Sequence, residues 1–326
     1  MNLVTGSSGH LGEGLVHTLR ESGQKVVGLD ITSSPFTRVE GSVADRACVR
    51  ACMDGVKTVY HTATLHKPHV ATHSMAEFVE TNIHGTLVLL EEAVAAQVQS
   101  FVFTSTTSVF GDALRPPPDL PAAWVTEDVK PIPKNIYGVT KTAAEDLCHL
   151  FQRRHGLPCI VLRTSRFFPE EDDDKAKRQA FADGNAKANE FLFRRVDVED
   201  VVSAHLRASE EAAAIGFGRY IISATTPFTA ADLAQLRTDA PSVVQRLFPQ
   251  YENIYRRNDW KMFPELDRVY VNEAARRALQ WQPQYDFARV LADLQQGSDP
   301  RSPLAVAIGS KGYHAEVFSE GPYPVE

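Results

Sequence analysis

Residues 2–12 read Asn2-Leu3-Val4-Thr5-Gly6-Ser7-Ser8-Gly9-His10-Leu11-Gly12, a short apolar run that breaks into glycines and then resumes with helical spacing. A strand, a turn and a helix in that order give each glycine a task. Gly6 permits a tight turn, Gly9 lets backbone N–H groups approach a pyrophosphate at the positive end of a helix, and Gly12 allows the helix to pack closely on the strand. Asp30 stands at the end of the next apolar run. An acid there accepts hydrogen bonds from ribose hydroxyls and repels a 2′-phosphate, which predicts NAD over NADP. Arg38, well past the strand end, is the alternative phosphate partner.

Working outward, apolar runs at 25–29, 58–61, 100–104 and 159–162 alternate with stretches of helical periodicity. That alternation predicts βαβ units and hence an α/β fold, a Rossmann-type doubly wound parallel sheet with a smaller C-terminal substrate-binding lobe. Within 77–97, Phe78, Ile83, Leu87, Leu90 and Val94 recur on one face and predict a single helix laid on the sheet. Pro116, Pro117, Pro118, Pro121, Pro131 and Pro133 make 113–134 a surface loop. The acidic run Glu170-Glu171-Asp172-Asp173-Asp174, followed at once by Lys175, Lys177 and Arg178, reads as solvated loop. The expected division is 1–165 as the dinucleotide domain, with 195–225 returning to it. Segments 166–194 and 226–326 then form the lobe, with an arm from residue 302 onward.

Composition narrows the classes of function. With 326 residues, 43% of them hydrophobic, the chain can bury an ordinary α/β core without covalent staples. A formal net charge of −7 and the lack of a basic block argue against a nucleic-acid partner. Cys48, Cys52, Cys148 and Cys159 form no CxxC pair and no secreted-type framework, so reduced thiols in a cytoplasmic protein are expected. No apolar run is long enough to cross a bilayer, and Met1 leads into the first strand with no charged leader, so no membrane association is expected. His61, His66, His69, His73 and His84 follow no helical metal template, and no metal is expected.

Tyr137-Gly138-Val139-Thr140-Lys141 puts a phenol and an ammonium one helical turn apart on one face. A tyrosine with a reference pKa near ~10 is a poor base at neutral pH, and a neighbouring cation favours its phenolate. Such a phenolate can take an alcohol proton while the carbon loses hydride. Ahead of it the apolar run from Phe101 ends in Ser105, Thr106, Thr107 and Ser108, at the strand end where open α/β sheets bind ligands. One of these hydroxyls can hold the substrate oxygen as charge moves onto it.

The glycine loop, Asp30, Thr81-Asn82-Ile83-His84-Gly85-Thr86, Ser105-Thr106 with Val109-Phe110-Gly111, Tyr137 with Lys141, and Arg195-Val196-Asp197-Val198-Glu199-Asp200-Val201-Val202 together resemble the extended short-chain dehydrogenase/reductases. Within them the pattern is similar to the NAD-dependent epimerase/dehydratase family typified by UDP-glucose/galactose 4-epimerases. It covers the first two hundred residues and returns weakly at 272–283, ending in Trp281-Gln282-Pro283. The resemblance implies that Tyr137 is the general base and acid, that Lys141 lowers its pKa and holds the nicotinamide ribose, and that Thr106 completes the set. It implies that Asn82 is a structural asparagine beside the site, that Ala63 and Thr64 line the diphosphate and ribose, and that Ser42 and Val43 border the adenine. Ser8, His10 and Leu11 of the loop, with Thr62 and Thr104 at strand ends, fall among the implied cofactor contacts. A homodimer built on the Tyr-Lys helix and the helix before it is implied as well. Ser42 stands where the family often has aspartate, and Phe110 where it often has tyrosine.

Two positions narrow the reaction. Sugar-nucleotide 4,6-dehydratases carry an Asp-Glu pair directly after the threonine, because removing water needs an extra acid and base. Here Thr107 and Ser108 stand there, and Ser108 also departs from the glutamate of uronate decarboxylases. The remaining chemistry needs hydride and one proton: 4-epimerisation of a nucleotide-sugar through a transient ketone, or plain dehydrogenation of a small sugar, uronate or hydroxy compound. A cofactor-sensing protein without turnover is a third reading, disfavoured by the complete Thr106, Tyr137 and Lys141 set. Thr106, Thr107, His66 and Arg166 are the candidate substrate contacts. Arg166 occupies a position where nucleotide-sugar epimerases usually have asparagine, and the segment from there to Arg195 is short for a nucleotide clamp.

Overall fold

The computed structural model describes residues 1–312, 314, 318 and 321–324. Seven parallel strands form one sheet: β1 (Asn2–Thr5), β2 (Val26–Asp30), β3 (Val39–Glu40), β4 (Thr58–His61), β5 (Ser100–Thr106), β7 (Cys159–Thr164) and β8 (Phe217–Ile222). Their order across the sheet is β3-β2-β1-β4-β5-β7-β8, every neighbouring pair parallel. Strand order reverses between β1 and β4, which opens a crevice at their carboxyl ends. A small second sheet pairs β6 (Ala123–Val125) with β9 (Arg268–Tyr270).

The helices α1 (His10–Glu21), α2 (Arg46–Cys52), α3 (Met75–Phe78), α4 (Gly85–Ala95), α5 (Ile136–His155), α6 (Lys175–Ala180), α7 (Asp183–Glu190) and α8 (Val198–Ile215) bring the chain to the end of the sheet. One apolar cluster joins α2, α4 and α5 to one face of the sheet, through Val49, Leu89, Ala144 and Cys148. A second joins α1 and α8 to the other, through Leu15, Val16, Val201 and Val202. A third, containing Leu192, Phe193, Val243, Tyr255 and Phe287, makes the smaller lobe. Segments 273–281 and 303–308, within the stretch expected to form lobe and arm, pack on the α1 and α8 side through Leu279, Trp281, Leu304 and Ile308. Residues 313, 315–317, 319–320 and 325–326 of the expected arm lie outside the described residues.

The late Trp281 motif and the Asp200 motif prove to be one contact. Asp200 accepts hydrogen bonds from the Gln284 and Tyr285 N–H groups at 2.7 and 2.9 Å, and the Trp281 indole donates to Ser203 Oγ at 3.0 Å. Burial pushes the Asp200 carboxyl up to about 7.

The helix expected over 77–97 forms, running from Met75 to Ala95, and it contains a π-helical segment, Val79–His84, between α3 and α4. An apolar face at helical spacing does not reveal one extra residue per turn, and such insertions recur at functional sites. The acidic run is only in part solvated loop: Glu171 and Asp174 are exposed, but Asp172 is 9% exposed and the Glu170 side chain 6%, because Arg166, six residues before Asp172, and His10 of the glycine loop pair with them. β8 was not anticipated, since most of Phe217–Ile222 is only half-buried at the sheet edge and shows no continuous apolar run. All four cysteines are free, and among the described residues no helix is long and apolar enough to cross a membrane.

Candidate active site

The glycine loop turns as its composition requires. Gly6 has φ +69°, and a Cβ there would stand 2.7 Å from Ala63 N. A Cβ on Gly12 would lie 1.9 Å from the Gly6 carbonyl oxygen, so α1 can approach β1 only without a side chain at that point. Gly9 caps α1 with no side-chain hydrogen bond, and a Cβ on it would meet nothing closer than Gly6 O at 3.3 Å. The first turn of α1 has backbone N–H groups with no intrahelical partner, which suits a pyrophosphate. Asp30 closes the loop: its carboxylate accepts from Ser8 N–H and Thr32 N–H, both at 2.9 Å. Ser8 and Asp30 remain partly exposed, whereas Leu11 is buried in the core behind the loop. The donor set, the glycine cradle and the acid at the end of β2 fit a dinucleotide.

Beside this loop, Thr62 donates to Thr5 O at 2.7 Å, and Asn82 organises the turn that follows β4. Asn82 Oδ1 accepts from the Thr64 hydroxyl and Leu65 N–H at 2.9 Å each, while its amide donates to Leu65 O at 2.9 Å and Thr140 Oγ1 at 3.0 Å. The π-helical segment carries Asn82 into this buried position, where it joins the β4 loop to α5. Ser42 holds Ala44 N–H at 3.1 Å, and Val43 packs where a Cβ on Gly85 would intrude at 2.7 Å. Thr104 is turned away from this cleft: its hydroxyl bonds His205 on α8 at 2.8 Å.

α5 begins at Asn135, whose side chain accepts from Gly138 N–H at 3.2 Å, and ends at Gly156 in the left-handed region, with Arg153, Arg154 and His155 in its last turn. Tyr137 and Lys141 thus share one face and are nearly buried, 8% and 2% exposed. Burial pushes the Tyr137 phenol up to about 12, opposed by a hydrogen bond with Thr106. The Thr106 hydroxyl also accepts from Ser108 N–H at 3.1 Å, which fixes its direction. Burial draws the Lys141 ammonium down to about 7, opposed by Glu145 and Cys148. Its Nζ sits over the Phe103 ring at 4.1 Å. The three residues adjoin, and the arrangement can move one proton at a substrate oxygen.

A cavity of about 970 Å³ opens from Tyr137 and Thr106 toward the lobe. Thr107, Ser108, Thr164 and Ser165 give its lining hydroxyls, and the acidic run 170–174 gives it carboxylates. Further out stand Lys134, Arg115, Arg268 and Tyr270, none of which sequence reasoning had singled out. They come from distant segments with no shared spacing, and only the fold brings them together. His66 and Arg166 line the same cavity. The Arg166 guanidinium is already engaged by Asp172 at 2.6 Å and by Asp173 and Glu190 at 3.3 Å each, and Lys67 pairs with Asp173. His10 connects the glycine loop to this wall through Glu170 at 2.9 Å.

Comparison with known proteins agrees with this geometry. The profile of the NAD dependent epimerase/dehydratase family matches residues 2–222. A UDP-glucose 4-epimerase of Erwinia amylovora is 32% identical over 164 residues, which cover 44% of this chain and 46% of that protein. A UDP-glucose 4-epimerase of Rhizobium leguminosarum bv. trifolii is 27% identical over 322 residues, covering 89% of this chain and 94% of its own. In the matches of 32% identity the chain spans less than half the length of the curated relatives. Among solved structures, a short-chain dehydrogenase/reductase superfamily protein of Agrobacterium tumefaciens with bound NAD superposes with a TM-score of 0.63 at 25% identity, over 91% of this chain and 96% of that one.

Proposed function

Because the chain belongs to the NAD-dependent epimerase/dehydratase family, we propose that it is an NAD-dependent epimerase of a nucleotide-linked sugar, working through a transient 4-keto sugar. The observation that carries this reading is that Tyr137 and Thr106, both 8% exposed, line one cavity together with Thr107 and Ser108, with buried Lys141 one helical turn from Tyr137 on α5. When bound, NAD supplies a reversible hydride acceptor. Tyr137 takes the proton of the substrate hydroxyl and later returns it to the same oxygen, and Lys141 favours the phenolate that does so. Thr106 orients that oxygen. Without a carboxylate at 107 or 108 the site lacks the second acid and base that loss of water needs.

Gly6, Gly9, Gly12 and Ser8 would cradle the diphosphate, and Asp30 the adenosine ribose. The reading extends to a homodimer, supported by exposed Met75 on α3, Val79 on the π-helical segment and Val139 on α5, and to the cytoplasm, supported by four free cysteines. Dehydrogenation of a smaller sugar or uronate is the second reading. It is favoured by the neutralised Arg166, which leaves no unengaged guanidinium at that point for a diphosphate.

The test is to purify the protein with no added cofactor, denature it, and quantify released nicotinamide nucleotide per chain, alongside incubation with UDP-glucose. Near-stoichiometric NAD(H) and formation of the 4-epimer are expected. An empty protein that accumulates NADH with substrate would replace the epimerase by the dehydrogenase. Asp30→Ala combined with Ile31→Arg, at an exposed neighbour, is expected to shift the NADP-to-NAD ratio of dissociation constants by at least about tenfold toward NADP. An unchanged ratio in calorimetric titrations would refute the role given to Asp30.

A further inference from the structure

Two turns beyond Tyr137 on α5, Glu145 is 1% exposed and carries more directed contacts than any structural need of the helix explains. Its carboxylate accepts from Ser105 Oγ at 2.6 Å, from Arg163 Nη2 at 2.7 Å and Nε at 3.1 Å, and from Arg219 Nε at 3.1 Å. These partners sit on β5, β7 and β8, so one side chain joins the catalytic helix to three adjacent strands. Ser105 immediately precedes Thr106. Arg163 is itself 3% exposed, its guanidinium lies 5.0 Å from the Phe110 ring, and its Nη1 has no hydrogen-bond partner. A buried ion pair of this kind is a poor source of net stability against apolar packing, but a forked arginine contact fixes direction.

We propose that Glu145 is a positioning residue for the reaction: through Ser105 and Arg163 it sets the helix bearing Tyr137 and Lys141 against the strand end bearing Thr106. The inference rests on the function proposed above. α5 is held at two places, at Thr140 by Asn82 and at Glu145 by the strands, and Tyr137 and Lys141 lie within one turn of those anchors. Two points define the direction of a helix axis, and the phenol stands about 12 Å along it from the lower one. A small tilt at Glu145 therefore displaces the phenol from Thr106. Glu145 also opposes the effect of burial on Lys141, whose other charged or titratable neighbours are Cys148 on the same helix and His61 and His66 from the β4 side.

The test uses the full chain with its retained cofactor and UDP-glucose as the probe. Glu145→Gln keeps an acceptor of the same shape without the charge, and Ser105→Ala cuts the strand contact alone. Glu145→Gln is expected to lower kcat by about 10- to 100-fold, with KM and cofactor content within about twofold of the parent, since displacement by a fraction of an ångström acts on the reacting geometry. Ser105→Ala is expected to lower kcat several-fold in the same manner. A merely structural residue would instead lower Tm and cofactor content, with kcat per loaded chain unchanged, and that result overturns the proposal. If Glu145→Gln does not fold, Ser105→Ala decides by the same split. If the parent chain leaves UDP-glucose unchanged, the functional reading has failed separately. Crystal structures of the parent and Glu145→Gln then decide: a displacement of the Tyr137 phenol relative to Thr106 supports the clamp, and an unchanged position sinks it.

Discussion

Tyr137→Phe is expected to cut turnover by about 10²- to 10⁴-fold, the usual contribution of one positioned acid–base group, while cofactor content and folding stay close to those of the parent. The argument is geometric. The ring is buried and phenylalanine fills the same space, so the change removes one oxygen. The residues that follow Thr106 and those at the end of β7, Thr107, Ser108, Thr164 and Ser165, line the same cavity and carry hydroxyls that titrate far from neutrality. Single-turnover and steady-state rates with UDP-glucose, normalised to bound NAD(H), are the measurement. Full turnover in the phenylalanine variant would remove Tyr137 from the mechanism and with it the proposed reaction.

Lys141→Met is expected to abolish measurable turnover and, in the cofactor-free protein, to raise stability. Burial brings the ammonium from its ordinary 10.5 down to about 7, so keeping a lysine at 2% exposure is a cost to the fold. At 1.36 kcal/mol per pKa unit this cost is on the order of 3–5 kcal/mol near pH 7. Methionine has similar length and no charge to desolvate, and even partial recovery of that energy would raise Tm by a few degrees, about 1.5 °C per kcal/mol for a chain of 326 residues. The pH dependence follows from linkage. Between about 7 and 10.5 the unfolded chain binds the lysine proton and the native one does not, so the parent gains stability as pH rises through that window. The advantage of Lys141→Met is therefore largest at and below pH 7 and shrinks toward 10.5. Comparing the two proteins cancels the other titrating groups, and differential scanning calorimetry from pH 6 to 9.5 reads the difference. A Tm gap that is absent, or that widens with pH, would show that Lys141 is not held in a desolvated site. The same experiment separates function from stability: the residue most costly to bury is the one the proposed chemistry requires.

Much of the molecule could be read along the chain, because local spacing carries it. Strands at 2–5 and 58–61 and the start of the strand at residue 100 follow from apolar runs; the glycine loop follows from steric demands inside eleven consecutive residues; and the Tyr137 and Lys141 pair follows from a single helical turn. These are properties of neighbours, and neighbours are visible in a sequence. The sequence by itself thus determined the parallel α/β class, the dinucleotide loop with Asp30 at its far end, and the helix that presents phenol and ammonium together.

Other features depend on residues far apart in the chain, and no local pattern announces them. The π-helical segment that delivers Asn82 to Thr64, Leu65 and Thr140 is one inserted residue in an otherwise regular apolar face. The acidic run looks solvated until Arg166, Lys67 and His10 meet it, since a charge can leave water only when its counter-charge arrives. Thr104 looks like part of the hydroxyl patch, yet its bond goes to His205, a hundred residues onward. Glu145 sits one turn after Lys141, in plain view, but its meaning comes from Ser105, Arg163 and Arg219 on three strands. Periodicity settles which face of an element is buried; only the tertiary structure decides which charges and hydroxyls that burial sets against one another.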